Sequence, residues 1–174
     1  MEYLDVLDEK GNKTGESKSK PEIHEKGFWH RTVHIWLMNS KKELLLQLRS
    51  KTKKTYPGFW DISAAGHIGS GEESLSSAKR EIGEEIGIEI SDKNITLIGT
   101  VTQKDIISST YINNEFNDVY LVKTDLKIED FKFNDGEVEK VEYIPIETLK
   151  GWVRDQKSDL VPHPSEYELL FKSI

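Results

Sequence analysis

The chain has 174 residues, of which 24 are lysine or arginine and 31 are aspartate or glutamate, so its formal net charge is −7. It contains no cysteine, which excludes disulfide scaffolds, cysteine-ligated zinc, iron–sulfur clusters and catalysis by a thiolate. This length favours a single domain, 1–174, with a core large enough to fold without covalent cross-links. The acidic balance argues weakly against a nucleic-acid backbone as the main partner.

The sequence also limits the compartment and the partners of the chain. Its longest apolar runs, Leu44–Leu46 and 33–38 (interrupted by His34), are too short to span a bilayer. The acidic first residues lack the basic-then-apolar layout of a secretory signal. We therefore expect a cytoplasmic protein with no membrane partner. In such an acidic protein, phosphate binding would need a local basic patch or a metal ion.

The first part of the chain has the patterns of strands and turns rather than of helices. The predicted elements are a strand at Tyr3–Leu7, a turn at 8–12, a hairpin of Thr32–Met38 and Leu44–Arg49, a charged loop at Lys51–Lys54 and an extended stretch at Phe59–His67.

The second part begins with the clearest helical periodicity, at Glu73–Ile86, and Gly87 follows where a left-handed cap is expected. The later predicted elements are strands at Ile95–Val101, Phe116–Val122 and Val138–Ile144, and short helices at Ile146–Lys150 and Ser165–Lys172. Each short helix is preceded by a proline. Many strands with a few interspersed helices predict an α/β chain of the α+β type, with a mixed sheet between helices.

The segment from Gly66 to Ile88 is the most informative about chemistry. On a helix, its three acids gather on one arc, and the apolar side chains form another arc that would face a core. The acids are Glu81, Glu84 and Glu85, and the apolar residues are Leu75, Ala78, Ile82 and Ile86. Three like charges near a helix C-terminus are unfavourable, and a bound divalent cation would compensate them. Spacing alone leaves open the alternative of a solvated acidic face.

The same segment has the form Gly-x5-Glu-x7-Arg-Glu-Ile-x-Glu-Glu-x-Gly-Ile, which is the Nudix box. The positions of the box are filled by Gly66, Glu72, Arg80, Glu81, Ile82, Glu84, Glu85, Gly87 and Ile88. The chain therefore resembles the Nudix hydrolase family, and the strands expected on both sides of the box suit the fold of that family.

The resemblance implies roles for the residues of the box. The implied ligands of Mg²⁺, or of Mn²⁺ in its place, are Glu81, Glu84 and Glu85. Glu72 and Arg80 would pair and brace the loop against the helix, and Gly66 would permit a tight loop. The implied reaction is hydrolysis of the diphosphate linkage in a nucleoside diphosphate joined to another group. The partner would then be a small-molecule diphosphate.

The regions around the box are similar to a narrower group of the Nudix fold, the type 1 isopentenyl-diphosphate isomerases. The similarity is carried by His30–Met38, Arg49, Lys54, 56–60 and 65–67. In that isomerase a cysteine directly before the Gly-His pair acts on the substrate carbon, whereas this chain has Ala65 there and an intact box. We therefore expect hydrolase chemistry on an isomerase-like scaffold, and the isomerase is the alternative.

The isomerase comparison also marks four residues at or near positions where that family binds its metal: His24, His30, His67 and Glu115. His67 is a candidate for contact with metal or substrate. For His24, whose spacing differs, and for His34 and His163, we favour a structural role.

Carboxylates and cations outside the box complete the candidate site. Glu115 is the first candidate for a further metal-binding or basic carboxylate, and Glu137 is the second. Arg49 and Lys54 form the local basic patch that phosphate binding requires. The candidate substrate-binding residues are Arg49, Lys54, His30 and Gly66.

Three functions are compared: a Mg²⁺-dependent pyrophosphohydrolase, the isomerase and a non-catalytic ligand-binding module. Such modules usually lose box acids, whereas this chain keeps all of them. No helix-turn-helix pattern supports a nucleic-acid partner. The resemblance is compatible with a homodimer. Substrate selection is expected from loops outside the box, at Lys51–Tyr56, Gln103–Asn114 and after Trp152.

Overall fold

The computed structural model of the chain describes residues 1–133 and 136–174. In these ranges a nine-stranded sheet is formed by β1 (Tyr3–Leu7), β2 (Lys13–Ser19), β3 (Trp29–Met38), β4 (Glu43–Arg49), β5 (Trp60–Asp61), β6 (Ala64–His67), β7 (Ile95–Ser108), β8 (Tyr111–Lys123) and β9 (Val138–Pro145). The α-helices are α1 (Lys20–Lys26), α2 (Ser74–Ile86), α3 (Ile146–Arg154) and α4 (Pro164–Ser173). Among the described residues, no helix has the length and apolar character needed to cross a membrane.

Strand β3 organises the sheet. It runs parallel to β8 over its whole length, and this register places His30 opposite Glu115. It pairs with β4 only at its end, through Leu37 and Met38, and with β6 through residues 32–35. The sheet therefore splits between β3 and β4, and β6 enters the split directly before the loop that leads to α2.

Each face of the sheet has its own hydrophobic core. On one face, Ile35 of β3 packs in a cluster with Ile82 of α2. On the other face, Trp36 packs in a cluster with Leu149 of α3 and Leu170 of α4. Successive residues of a strand point to opposite faces, which is why neighbours on β3 belong to different cores. The predicted fold class, a mixed sheet between helices, is confirmed.

Most predicted elements are present, but three features differ from the predictions. Strand β2 and helix α1 were not predicted, because β2 is a polar strand at the end of the sheet and α1 has only seven residues. The loop predicted at Gln103–Asn114 is wrong, because β7 and β8 continue as paired arms through this segment. Leu75 is 37% exposed, so the buried stripe of α2 begins at Ala78.

Two glycines, one inside α2 and one at its C-terminal cap, predict opposite changes in stability. Gly87 ends the helix with φ +70°, and an added Cβ would lie 2.6 Å from the backbone oxygen of Lys132. We expect Gly87→Ala to lower the free energy of unfolding by about 1–2 kcal/mol or more. Gly83 lies inside the helix, and an added Cβ meets only the Ile88 oxygen at 3.8 Å. Gly83→Ala should therefore raise that free energy by about 0.5–1 kcal/mol. Urea denaturation measures both changes, and equal signs would contradict this account.

Candidate active site

The three box acids of α2 differ in their exposure. Glu81 and Glu85 are each 8% exposed, whereas the side chain of Glu84 is 58% exposed. A solvated acidic face therefore fits Glu84 but not the other two. The helix instead places two carboxylates inside the protein and one at the surface beside them.

Gly66 makes room for the carboxylate of Glu81. It lies on β6 opposite Val33 of β3, on the face of the sheet that α2 covers. A Cβ at this position would overlap the Glu81 carboxyl group. The requirement for glycine thus comes from the close approach of a functional side chain, in addition to the tight loop expected from the sequence.

Arg80 connects the acids to the loop that precedes the helix. One guanidinium nitrogen donates to Glu81 at 2.7 Å and to Glu84 at 3.3 Å. The other donates to Glu72 at 3.1 Å and to the backbone oxygen of His67 at 3.0 Å. The pair of Glu72 and Arg80 implied by the box is therefore present. It fixes the loop against α2 and orients two of the acids.

The electrostatics of the buried acids favour a bound cation. Glu85 accepts hydrogen bonds from the Gln47 side chain at 3.3 Å and from the Ala65 backbone at 3.2 Å. Burial raises the pKa of Glu85 to about 8, and it raises the pKa of Glu81 to about 7 despite the nearby Arg80. These carboxylates are hard oxygen donors whose charge the surrounding residues compensate only in part. Their chemistry fits Mg²⁺ or Mn²⁺.

The raised pKa values predict how pH affects the stability of the metal-free protein. When the pKa of a carboxyl group is higher in the folded protein than its usual 4.5, the group contributes to stability fully below pH 4.5. This contribution is lost as the pH rises through the pKa in the folded protein, which is about 7 for Glu81 and about 8 for Glu85. We therefore expect Mg²⁺ to raise Tm more at pH 8 than at pH 5. Thermal unfolding in EDTA and in Mg²⁺ measures the difference. Glu85→Gln should flatten the profile in EDTA, and an unchanged profile would contradict the assignment.

Three histidines from separate elements form a second group. His24 of α1, His30 of β3 and His67 of β6 each place one ring nitrogen within 4.8 Å of those of the other two. His24 Nε2 and His67 Nε2 are 3.2 Å apart. His30 Nε2 lies 3.5 Å from Glu115 Oε1 and makes no hydrogen bond within 1–133 and 136–174. We call these three residues the histidine trio.

Two rings of the histidine trio have the protonation state that suits a metal. Burial lowers the pKa of His24 and of His67, so these rings are neutral at physiological pH. Burial opposes ionisation of Glu115, but His30 outweighs it and lowers the pKa of that carboxyl group. Neutral imidazoles with a carboxylate are ligands of transition metals. His24, for which a structural role was favoured, therefore joins the candidate ligands.

Strand β6 places the two groups on opposite faces of the sheet. Gly66 faces Glu81 of α2, and the next residue, His67, faces the other two histidines, as the alternation of a strand requires. The hydrogen bond from Arg80 to the backbone oxygen of His67 connects the box acids directly to the histidine trio. Glu115, which lies 3.5 Å from His30, is beside the histidine trio and not among the box acids.

The NUDIX domain family model matches residues 28–163. The chain belongs to the Nudix family. It is 41% identical over 179 aligned residues to Nudix hydrolase 3 of Arabidopsis thaliana. The alignment covers 99% of this chain but only 23% of that protein. It is also 32% identical over 144 residues to an isopentenyl-diphosphate Δ-isomerase of Pectobacterium atrosepticum, covering 83% of this chain and 76% of the isomerase.

A solved structure supports the fold over nearly the whole chain. The crystal structure of DR0079 from Deinococcus radiodurans superposes with a TM-score of 0.73 and 23% identity, covering 98% of each chain. At that identity the likeness concerns the fold. Together with the match to the family model, this likeness confirms the Nudix fold predicted from the sequence.

The candidate phosphate-binding cations of this Nudix chain have different surroundings. Arg49 donates to Asp61 at 3.0 Å and to the backbone oxygen of Thr55 at 2.9 Å. It therefore braces the charged loop, and its guanidinium is shared between that loop and β5. Lys53 pairs with Glu137 at 2.7 Å, and Lys54 is exposed on the same loop. Of these cations, Lys54 remains the one most open to a phosphate.

Proposed function

We propose that the chain is a Mg²⁺-dependent Nudix pyrophosphohydrolase that cleaves a diphosphate linkage in a nucleoside diphosphate derivative. The observation that carries the proposal is the set of box acids on α2, with Glu81 lying across Gly66 and held by Arg80. A non-catalytic module would have no need for this complete set. The closeness to relatives named Nudix hydrolases supports the same activity.

The residues divide the chemical work in a way that follows from their surroundings. Glu81, Glu84 and Glu85 would hold the cation. When bound, the cation neutralises phosphate oxygens and lowers the pKa of water next to phosphorus. Arg80 holds two of these acids in position. Glu84 is the acid most open to solvent, which makes it the carboxylate best placed to take a proton from an attacking water.

A substrate panel tests the proposal. The purified chain is incubated with nucleotide sugars, dinucleotides and nucleoside di- and triphosphates, in Mg²⁺ or in Mn²⁺, and nucleoside monophosphate and phosphate are quantified. We expect release of a nucleoside monophosphate from at least one class, and its loss in EDTA. The absence of hydrolysis across the panel, with protein shown to be folded by circular dichroism, would contradict the proposal.

The histidine trio is the observation that favours the isomerase as a second candidate. It lies with Glu115 where the resemblance to the isomerases places a metal, and an isomerase is among the relatives. Against it, Ala65 occupies the position of the cysteine that acts on carbon in that family. We expect no conversion of isopentenyl diphosphate to its allylic isomer when the reaction is followed by proton NMR. Formation of the isomer would favour the second candidate.

A further inference from the structure

A buried polar group lies beside α4, apart from the box acids and the histidine trio. The chain has five histidines, and the two outside the trio, His34 and His163, both belong to this group. With Glu166 they each place one nitrogen or oxygen atom within 4.8 Å of the others. The proposed hydrolase chemistry uses none of these three residues.

Glu166 is fixed by residues of β3. Its Oε2 lies 2.6 Å from Nδ1 of His34, and its Oε1 accepts a hydrogen bond of 2.8 Å from the indole of Trp36. The side chain of Glu166 is 1% exposed and that of His34 is 8% exposed. A carboxylate held at both oxygens in this way cannot turn away from His34 without losing a buried hydrogen bond.

His163 is fixed from the opposite side. Its Nε2 lies 2.8 Å from Oδ1 of Asp61, and the side chain is 8% exposed. Pro162 and Pro164 on either side restrict the backbone at this residue. The remaining ring nitrogen, Nδ1, is buried and has no hydrogen-bond partner in the two described ranges. A buried polar atom without a partner is unfavourable, so this nitrogen points to a ligand that the protein residues do not supply.

We propose that His34, His163 and Glu166 bind a divalent transition-metal ion of the Zn²⁺ class. Two imidazoles and a carboxylate are a donor set for such ions, whereas Mg²⁺ prefers oxygen ligands alone. His163 bonds to Asp61 through Nε2, which leaves Nδ1 for the ion. A carboxylate commonly orients a metal-ligating histidine through its second ring nitrogen in this way. This site is separate from the trio and from the box acids.

The surroundings also give an ion access to the group. A cleft of about 170 Å³ lies between residues 101–105 of β7 and residues 162–166, and both His163 and Glu166 line it. Zn–N bonds measure about 2.0–2.1 Å, so the ligand atoms, which lie within 4.8 Å of one another, would close around the ion, and the ion would replace the proton between His34 and Glu166. The cleft leaves room for water as a further ligand. The site therefore has three protein ligands and one open side.

Metal analysis in a background without the trio tests the proposal. In His24→Ala/His67→Ala, with excess Mg²⁺ present to occupy the box acids, we expect the protein to retain close to one Zn²⁺ per chain after equilibration with Zn²⁺ and gel filtration, measured by inductively coupled plasma mass spectrometry. Adding Glu166→Gln should remove that ion, whereas adding Glu168→Gln, an exposed residue of the same helix, should not. No bound Zn²⁺ in the background variant, or Zn²⁺ retained with Glu166→Gln, would overturn the proposal.

A second measurement uses the unmutated protein and does not depend on how the variants fold. Long-range proton–nitrogen NMR spectra report the protonation and ligation of each imidazole ring. On titration with Zn²⁺ we expect the signals of His34 and His163 to move to positions typical of metal-bound rings. The alternative is an imidazolium at His163: burial lowers the pKa of this ring, but its hydrogen bond to Asp61 outweighs burial and raises the pKa to about 9. Imidazolium signals at His163 that persist in excess Zn²⁺ would overturn the proposal.

Discussion

Replacing Glu85 by glutamine is expected to lower kcat for diphosphate hydrolysis by at least about 100-fold. The amide removes one of the buried negative charges that would hold the cation, at a position that is only 8% exposed. Gln47 and the Ala65 backbone can still donate to the amide oxygen, so the local hydrogen bonds survive. The loss should therefore appear in metal affinity and turnover, with the fold retained.

The same substitution should have the opposite effect on the stability of the metal-free protein. Burial raises the pKa of Glu85 to about 8, so ionising this group in the folded state is unfavourable. A neutral amide avoids that cost, and in EDTA at pH 8 the variant should have a Tm at least equal to that of the unmutated protein. A merely structural glutamate would instead lower Tm when it is replaced.

The control is Glu89→Gln, which changes an exposed glutamate shortly after the same helix. It makes the same chemical change outside the candidate site and should leave kcat within about twofold, as expected for a surface substitution. The measurements are kcat, KM and Mg²⁺ affinity for each variant on one substrate from the panel. Unaltered turnover in both Glu85→Gln and Glu84→Gln would contradict the role of the box acids.

The box residues of the candidate site could be predicted from the sequence because they lie close together along the chain. The acids, Arg80 and Gly66 lie in one helix and the segment just before it, so helical spacing and motif already place them together. What the sequence could not provide was their burial. The solvated-face alternative depended on which side of α2 meets the sheet, and that is decided by the packing of Ile82 against β3.

The histidine groups could not be predicted in the same way because they are assembled by tertiary structure. His24 lies in a seven-residue helix without a clear periodic signal, and it meets His67 across a separation of 43 residues. His34 and Glu166 are 132 residues apart. No spacing rule links residues at such distances in a single sequence. The resemblance to the isomerases marked the trio, but it marked neither Glu166 nor the pairing of His163 with Asp61.

Residues 103–114 show a related limit. Their polar side chains suggested a loop, yet they form paired arms of β7 and β8, with Gln103 opposite Glu115. Glu115 lies 3.5 Å from His30 of the trio. These arms are therefore paired strands next to the trio rather than an irregular loop. Any selection of substrate by this region depends on fixed side chains of a sheet, which are better defined in position than those of a loop.

Gly66→Ala is expected to lower kcat about 100-fold without unfolding the chain. The new methyl group would overlap the carboxyl group of Glu81. The backbone of β6 is held by its pairing with β3 and cannot easily move away, so the flexible end of the Glu81 side chain is displaced instead. The free energy of unfolding should change by less than about 1 kcal/mol, because alanine suits extended backbone.

A double-mutant cycle separates this route from a general disturbance of the loop. Because alanine at position 66 acts by displacing Glu81, the variant Gly66→Ala/Glu81→Gln should lose no more activity than the more impaired single variant. Gly83→Ala, a glycine-to-alanine change in the same box whose Cβ would meet only the Ile88 oxygen at 3.8 Å, serves as the control and should keep full activity. If the fold-losses in activity of Gly66→Ala and Glu81→Gln multiply in the double variant, Gly66 acts on catalysis independently of Glu81. The box would then require glycine at position 66 for a reason other than the close approach of the Glu81 carboxylate.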